Sequence, residues 1–191
     1  IRIGETLVVT NEEHRFLALD QLRELKHVSS TLLLEPVGRN TAPALTLAAL
    51  QASADGADPI LVVTPADQTV KDAGAFTATL QNAIRAAANG DIVILGIAPD
   101  RPETGYGYVR RKGQPGINNE YLVAQFAEKP DLDTANAYLA SGDYAWNSGM
   151  FVLKASTWLK ALSSFRSDIA DACQQAWAEK LLDLPFVRPG R

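Results

Sequence analysis

Four short apolar runs, each followed by a segment of different pattern, constrain the fold of this chain more than any other feature. The runs cover residues 6–9, 31–34, 59–63 and 91–95, and helical patterns separate them. Strands that are apolar along their whole length are typical of a parallel sheet, because helices cover both of its faces. The sequence therefore predicts an α/β fold built on a Rossmann-like, doubly wound, mostly parallel sheet.

The helical patterns predict the covering layers of this sheet. Asn11 is suited to cap a first helix that continues to Leu25, and further helices are predicted near residues 42–54, 72–88 and 132–140. A final helical stretch is predicted over 156–182, with a break near Ser164. Between Gly96 and Gly116, glycine and proline crowd the sequence, which predicts added β-hairpins with strands at 106–111 and 121–129. A buried strand at 149–153 follows.

Composition narrows the possible functions. The chain has 191 residues, of which 47% are hydrophobic, so we expect one domain over residues 1–191. A net charge of −4 argues against nucleic acid or an anionic membrane surface as the partner. Cys173 is the single cysteine, and the sequence has no long apolar run or signal-peptide pattern. We therefore expect a soluble, cytoplasmic protein; the sequence leaves a homo-oligomer open.

The segment 126–131 follows a predicted strand and holds an acid, a base and a proline side by side. Pro130 is expected to push Lys129 toward extended geometry, so that Glu128 and Lys129 leave the sheet in opposite directions. Glu128 could then accept hydrogen bonds from sugar hydroxyls while Lys129 meets a phosphate. The alternative is a solvated strand end before a helix.

Two more loops follow predicted strands, where open α/β sheets bind ligands. The loop 35–43 carries polar groups that could read a base edge, with Thr41 capping the next helix; a capped turn with Arg39 in solvent is the alternative. Asp67, in the loop 64–68, is a candidate magnesium ligand, because Mg²⁺ takes few protein ligands beside phosphate oxygens and waters. Its alternative is an ordinary loop or capping aspartate.

Two further segments suit a sugar. In 103–109, Gly105 and Gly107 flank an aromatic residue and permit close approach of a ligand to the backbone, although a tight turn has the same pattern. In 146–151, Asn147 offers both a donor and an acceptor for sugar hydroxyls. The alternative there is an Asx turn that leads into the strand.

In this order, the five segments resemble those of the bacterial mannose-1-phosphate guanylyltransferases, which are sugar nucleotidyltransferases. The segments are Glu-Pro-Val-Gly-Arg-Asn-Thr-Ala-Pro, Thr-Pro-Ala-Asp, Glu-Thr-Gly-Tyr-Gly-Tyr, Phe-Ala-Glu-Lys-Pro-Asp and Trp-Asn-Ser-Gly-Met-Phe. The likeness runs from about Leu7 to Val187. It implies the nucleotide-diphospho-sugar transferase fold and transfer of GMP from GTP to mannose 1-phosphate, giving GDP-mannose and pyrophosphate for polysaccharide biosynthesis.

The resemblance also implies a role for each candidate residue. Gly38, Arg39, Asn40 and Thr41 would line the guanine and ribose end of the cleft. Gly107, Glu128 and Asn147 would surround the mannose ring. Lys129 would meet the phosphate of mannose 1-phosphate, and Asp67 would hold Mg²⁺; these two are the candidate catalytic residues.

Some family features have no match in this sequence. The glycine-rich Gly-Gly-x-Gly-x-Arg loop and a later Ile-Asp-Tyr aspartate are missing, and Gln68 stands where the family usually has histidine. We therefore expect a fragment with little or no transferase activity by itself. A C-terminal phosphomannose isomerase domain is undecided.

Two other functions remain open. One is a non-catalytic relative that binds a sugar nucleotide or acts as a regulator. The other is a hexose-1-phosphate uridylyl- or thymidylyltransferase, although the Gly-Arg-Asn-Thr-Ala-Pro segment argues for guanine.

Overall fold

A computed structural model describes residues 4–25 and 28–190. By their contacts, the residues form two compact units, one of Ile1–Pro59 with Lys154–Arg191 and the other of Ile60–Leu153. The expectation of a single domain over residues 1–191 stays a prediction. In the described part of the chain, every helix is too short or too polar to cross a membrane.

The first unit contains a four-stranded sheet in the order β1-β2-β9-β8. Its elements are β1 (Thr6–Asn11), a short 3-10 helix (Glu12–His14), α1 (Arg15–Glu24), β2 (Ser30–Glu35), α2 (Thr41–Ala52), α5 (Ala155–Phe165), α6 (Ser167–Ala178), β8 (Leu181–Asp183) and β9 (Phe186–Arg188). β2 pairs in parallel with β1 on one side and with β9 on the other, and β8 runs antiparallel to β9. The central position of β2 explains why its sequence is an unbroken apolar run.

The leucines of β2 divide between two core layers. Leu32 and Leu34 pack with Leu19 of α1, whereas Leu33 packs with Leu47 of α2 and Trp177 of α6. Successive side chains of a strand point to opposite faces, so one run of leucines fills both layers. The prediction that helices cover both faces is confirmed for this sheet.

The second unit contains a five-stranded sheet in the order β3-β7-β5-β6, with β4 also paired to β7. Its elements are β3 (Ile60–Val63), α3 (Ala73–Ala88), β4 (Val93–Ile97), β5 (Gly107–Lys112), β6 (Leu122–Glu128), α4 (Leu132–Ser141) and β7 (Tyr144–Lys154). β4 and β5 run antiparallel to β7, and β6 runs antiparallel to β5. The α/β class is therefore confirmed, with parallel pairing in the first sheet and antiparallel pairing in the second.

Two apolar clusters hold the second unit together. In one cluster, Tyr108, Tyr144 and Trp146 of the sheet pack against Ala135 of α4. In the other, Val152 packs against Ala83 and Ala87 of α3. Asp72 caps α3 by accepting a hydrogen bond from the Ala75 amide, as expected for a helix that starts there.

Several predicted boundaries are wrong. β7 begins at Tyr144, five residues before the predicted start, and the last helix ends at Ala178. Leu181 lies in β8, not in a helix, since the strand that starts there pairs with β9. Asn11 is the last residue of β1 and makes no side-chain capping bond. The break between α5 and α6, at Arg166, lies close to the predicted one.

Candidate functional site

The carboxyl ends of β1 and β2 form the first candidate region, which lies in the first unit. Asn11 and Glu35 are paired in the register of the two parallel strands. The Gly38 backbone lies against the Asn11 side chain, because a Cβ built on Gly38 would be 3.3 Å from Asn11 Oδ1. Asn11 was interpreted from the sequence only as a helix cap, so this contact with the loop was missed.

Glu35 is a buried carboxyl group at this edge, with 8% of its surface exposed. Burial raises its pKa, and the backbone amide and charge of nearby Arg39 partly oppose that rise. The Glu35 carboxyl group at the start of the loop is therefore close to Arg39, in the middle of the loop.

The four predicted nucleotide-binding residues, Gly38, Arg39, Asn40 and Thr41, are all exposed and consecutive. Asn40 has φ 68° and ψ −172°, a region that residues other than glycine seldom occupy. Thr41 is the first residue of α2, and the capping position falls on Asn40, whose side chain makes no capping bond. The prediction that Thr41 caps the helix is therefore wrong, and the Asn40 amide is not used by the helix.

In the second unit, the three predicted mannose-binding residues come from three strands and meet. Gly107 opens β5 and is paired with Glu128 at the end of β6. A Cβ on Gly107 would lie 2.8 Å from Glu128 Oε2 and 3.4 Å from Asn147 Cβ of β7. Glycine is needed here because any side chain would enter the space between the carboxylate and the amide residue.

Lys129 departs from the predicted geometry. Its φ is 46°, in the left-handed region, although the residue before a proline was expected to be extended. Its backbone amide donates to the Tyr106 carbonyl at 3.2 Å, which continues the β5–β6 ladder by one residue and holds this conformation. Lys129 Nζ also lies 3.9 Å from Glu128 Oε1, so the two side chains approach each other and do not point in opposite directions.

Asn147 lies inside β7, where the predicted alternative was a turn before the strand. Its Oδ1 accepts a hydrogen bond from the Gly149 amide at 3.0 Å, and Gly149 has a positive φ of 74°. The local contact expected of an Asx turn is therefore present within a strand. The Asn147 amide nitrogen has no hydrogen bond to any described residue, and it can donate to a ligand.

Asp67 lies in an exposed turn after β3. The Gln68 side chain donates to the Ser148 carbonyl at 2.6 Å, and Pro65 lies against Gly149. The turn is thus attached to β7 beside Asn147. Among residues 4–25 and 28–190, the Asp67 carboxylate has no ion pair, and no group of three or more potential metal ligands occurs. One free carboxylate fits Mg²⁺, which keeps waters and phosphate oxygens as its remaining ligands.

The predicted residues therefore form two groups. One group lies where the start of β5 and the end of β6 meet β7, and it contains Gly107, Glu128, Lys129 and Asn147. The turn that carries Asp67 is hydrogen-bonded to Ser148, the residue after Asn147. Gly38–Thr41 belong to the first unit, where Asn11 and Glu35 join them. From the sequence, Asn11 was interpreted only as a helix cap and Glu35 was given no role of its own; the strand-end position of both was the available signal.

Comparison with known proteins shows similarity to the nucleotidyl transferase family and to proteins of polysaccharide biosynthesis. The nucleotidyl transferase family matches residues 1–191. The Xanthan biosynthesis protein XanB of Xanthomonas campestris pv. campestris (strain B100) is 50% identical over 182 residues, which are 95% of this chain and 38% of that protein. The mannose-1-phosphate guanylyltransferase of Escherichia coli (strain K12) is 47% identical over 188 residues, covering 95% of this chain and 39% of that protein.

A solved structure is also similar. The crystal structure of mannose-6-phosphate isomerase from Helicobacter pylori matches with a TM-score of 0.87 and 35% identity, over 98% of this chain and 72% of that one. In sequence, the chain spans about 38–39% of the length of the two curated relatives named above.

Proposed function

This chain belongs to the nucleotidyl transferase family, and we propose that it forms part of a mannose-1-phosphate guanylyltransferase, which transfers GMP from GTP to mannose 1-phosphate and releases pyrophosphate. The observation that carries the proposal is the meeting of Gly107, Glu128 and Asn147, with Lys129 beside them. A carboxylate, an amide and an ammonium group around a glycine suit a sugar ring that bears a phosphate. The relatives named for mannose 1-phosphate support this choice of sugar.

Backbone strain supports the same residues. In the described part of the chain, only Asn40, Asn119 and Lys129 have a positive φ without being glycine. Such conformations cost about 1–3 kcal/mol each and are concentrated at functional sites. Two of the three belong to the predicted nucleotide and phosphate positions.

At the proposed mannose site, each residue has one task. Glu128 accepts hydrogen bonds from mannose hydroxyls, Asn147 donates its free amide hydrogens, and Gly107 leaves space for the ring. Lys129 exchanges its weak contact with Glu128 for the sugar phosphate, since an exposed ion pair stabilises little in water. The phosphate bears the nucleophilic oxygen already, so the reaction needs in-line placement and charge neutralisation, not a general base.

At the proposed guanine site, the strand-end residues supply base contacts. The Glu35 carboxylate accepts from the N–H groups of the guanine edge, and the Asn11 amide and the backbone at Gly38 flank it. Uracil and thymine present only one N–H group on the corresponding edge, so two acceptor oxygens favour guanine. Asn40 and Thr41 contribute exposed polar groups toward the ribose.

Mg²⁺ at Asp67 would neutralise phosphate charge during the transfer. Asp67 is free of ion pairs among the described residues and lies in an exposed turn, so its carboxylate is available for one coordination position. Gln68 holds the turn in place through Ser148. Lys129 supplies a second positive charge, which offsets the repulsion between two anionic substrates in an acidic protein.

Calorimetry with GDP-mannose, and with the UDP- and dTDP-linked hexoses, tests the proposal. We expect GDP-mannose to bind most tightly, and Asn40→Ala to weaken binding by about tenfold through loss of the amide. Lys160→Ala is the control, because this exposed residue of α5 belongs to neither group of site residues. Equal affinity for all three nucleotides would contradict the guanine assignment.

A further inference from the structure

A groove of about 660 Å³ lies at the opposite end of β5 from the proposed mannose site. Gly107 is the first residue of β5 and Lys112 the last, a separation of about 17 Å along the strand. The groove is lined by Arg110, Arg111, Lys112, Gln114, Tyr121 and Asp143, among others. None of these residues has a role in the proposed transfer of GMP.

A bulge in β6 lies beside the three consecutive cationic residues of β5. The β5–β6 register shifts between Arg110, paired with Gln125, and Arg111, paired with Val123. Ala124 is the extra residue, so β6 and not β5 is the bulged strand. Because alternate residues of a strand share a face, Arg110 and Lys112 lie on the same face of β5.

One of the three cations is fixed in position. The Arg111 guanidinium donates to the Gly142 carbonyl and, at 3.2 Å, to the Asp143 carbonyl. It also lies 5.2 Å from the centre of the Tyr121 ring. Carbonyls and an aromatic ring orient the guanidinium but do not neutralise its charge, so Arg111 presents a fixed positive charge to the groove.

The charge of the groove is not balanced by carboxylates. Within the described ranges, no ion pair includes Arg110, Arg111 or Lys112, and Asp143 is the one acidic residue that lines the groove. Three cations against one anion leave a local excess of positive charge in a protein whose net charge is −4. Such a local field concentrates anions.

We propose that this groove binds a linear polyphosphate group, either free or as part of a nucleotide. Arg110 and Lys112 lie two residues apart, about 6.6 Å along the strand, so both can contact an anion that carries charge on more than one phosphate. Guanidinium groups suit phosphate oxygens because they offer paired N–H donors. The volume suits a small molecule, whereas nucleic acid needs a longer basic surface.

The loop beside the groove is held by its own hydrogen bonds. The Gly116 amide donates to the Glu120 carbonyl at 2.7 Å, and the Asn118 amide donates to the Glu120 carboxylate at 2.8 Å. Asn82 of α3 donates to the Asn118 carbonyl at 3.3 Å. Gln114, in the same loop, can therefore meet a ligand without a large rearrangement.

The double variant Arg110→Ala/Lys112→Ala tests this site. Tripolyphosphate and GDP are each titrated by calorimetry into the 191-residue chain, into this variant, and into the control Arg23→Ala/Lys160→Ala. The control removes the same charge from exposed positions outside the groove. We expect the groove variant to bind tripolyphosphate at least about tenfold more weakly and the control to keep the original affinity.

The outcomes separate the two sources of polyphosphate. Loss of affinity for tripolyphosphate alone assigns the groove to free polyphosphate, and loss for both probes assigns it to nucleotides as well. Lys129→Ala should leave tripolyphosphate binding at the groove intact, which separates this site from the proposed transferase site. Equal tripolyphosphate affinity in the groove variant and the control, or no tripolyphosphate binding at millimolar concentration, would overturn the proposal. Circular dichroism establishes that both double variants are folded.

Discussion

Gly107 and Glu128 approach so closely that a Cβ on the glycine would lie 2.8 Å from the carboxylate Oε2. Gly107→Ala should therefore displace the Glu128 side chain and narrow the space for the mannose ring. We expect GDP-mannose affinity to fall by about tenfold, about 1.4 kcal/mol. The Glu128 side chain is exposed and can move, so the midpoint of thermal unfolding should change little.

Gly105→Ala is the matched control for this substitution. A Cβ there would meet Glu103 Oε1 at 3.4 Å, an ordinary contact distance. Its GDP-mannose affinity should equal that of the original chain. An unchanged affinity in Gly107→Ala would mean that mannose does not occupy this space.

The left-handed backbone of Lys129 allows its charge and its conformation to be tested separately. Lys129→Ala and Lys129→Gly both remove the ammonium group, and both should weaken GDP-mannose binding by about one to two decades. Only glycine relieves the positive φ of 46°. Lys129→Gly should therefore be more stable than Lys129→Ala by about 0.5–1 kcal/mol in urea denaturation. If both variants bind GDP-mannose as before, Lys129 does not contact the phosphate.

The raised pKa of Glu35 predicts a definite pH dependence of stability. Burial raises the pKa above the ordinary value of 4.5, so the folded state favours the protonated acid. Its stabilising contribution is present below the unfolded pKa and is lost as the pH rises through the folded pKa. Relative to Glu35→Gln, the original chain should lose thermal stability as the pH rises from 4 toward neutrality.

Asp168 has a lowered pKa, so Asp168→Asn should change the pH dependence of stability in the opposite direction to Glu35→Gln. Hydrogen bonds from Arg166 lower the pKa of Asp168 to about 2, so its contribution persists above pH 3.8 and is lost only as the pH falls toward 2. The difference in stability between the original chain and Asp168→Asn should therefore stay constant from pH 5 to 8. A flat difference for Glu35→Gln from pH 4 to neutrality would show that Glu35 does not resist ionisation.

Asp67 should determine the effect of Mg²⁺ on ligand binding. In the original chain, Mg²⁺ is expected to tighten GTP binding, because Asp67 would hold an ion that neutralises phosphate charge. Asp67→Asn should abolish that increase and leave thermal unfolding unchanged, since the side chain is exposed. Asp100→Asn, an exposed carboxylate in a different loop, should retain the Mg²⁺ effect. Retention of the effect in Asp67→Asn would rule out this residue as the ligand.

The elements that the sequence predicts well are those whose local pattern and packing agree. Leu32, Leu33 and Leu34 are each no more than 1% exposed, because β2 is central and both of its faces are covered. The strands β8 and β9 were missed because each has only three residues, fewer than a periodic pattern requires. The antiparallel direction of β4 depends on its pairing with β7, some fifty residues later, and no local pattern records it.

At the candidate site, too, features that depend on contacts between distant residues could not be predicted from local sequence. The strand-end segments were recognisable, and the convergence of Gly107, Glu128 and Asn147 follows from the pairing of three strands. The predicted extended conformation of Lys129 was wrong, because the hydrogen bond from its backbone amide to the Tyr106 carbonyl outweighs the local preference set by Pro130. Asn11 was missed because its contact with Gly38 joins residues 27 positions apart.

The hydrogen bond from Gln68 to the Ser148 carbonyl has a thermodynamic consequence. It joins the residue after Asp67 to the residue after Asn147, so an ion that orders the turn also restrains the strand beside the sugar. Whichever of Mg²⁺ and GDP-mannose binds first therefore orders part of the protein for the other. The second ligand then loses less conformational entropy on binding, which makes the two binding events cooperative. Linkage requires this cooperativity to be reciprocal: GDP-mannose should raise the affinity for Mg²⁺ by the same factor by which Mg²⁺ raises the affinity for GDP-mannose, and independent affinities would exclude the coupling.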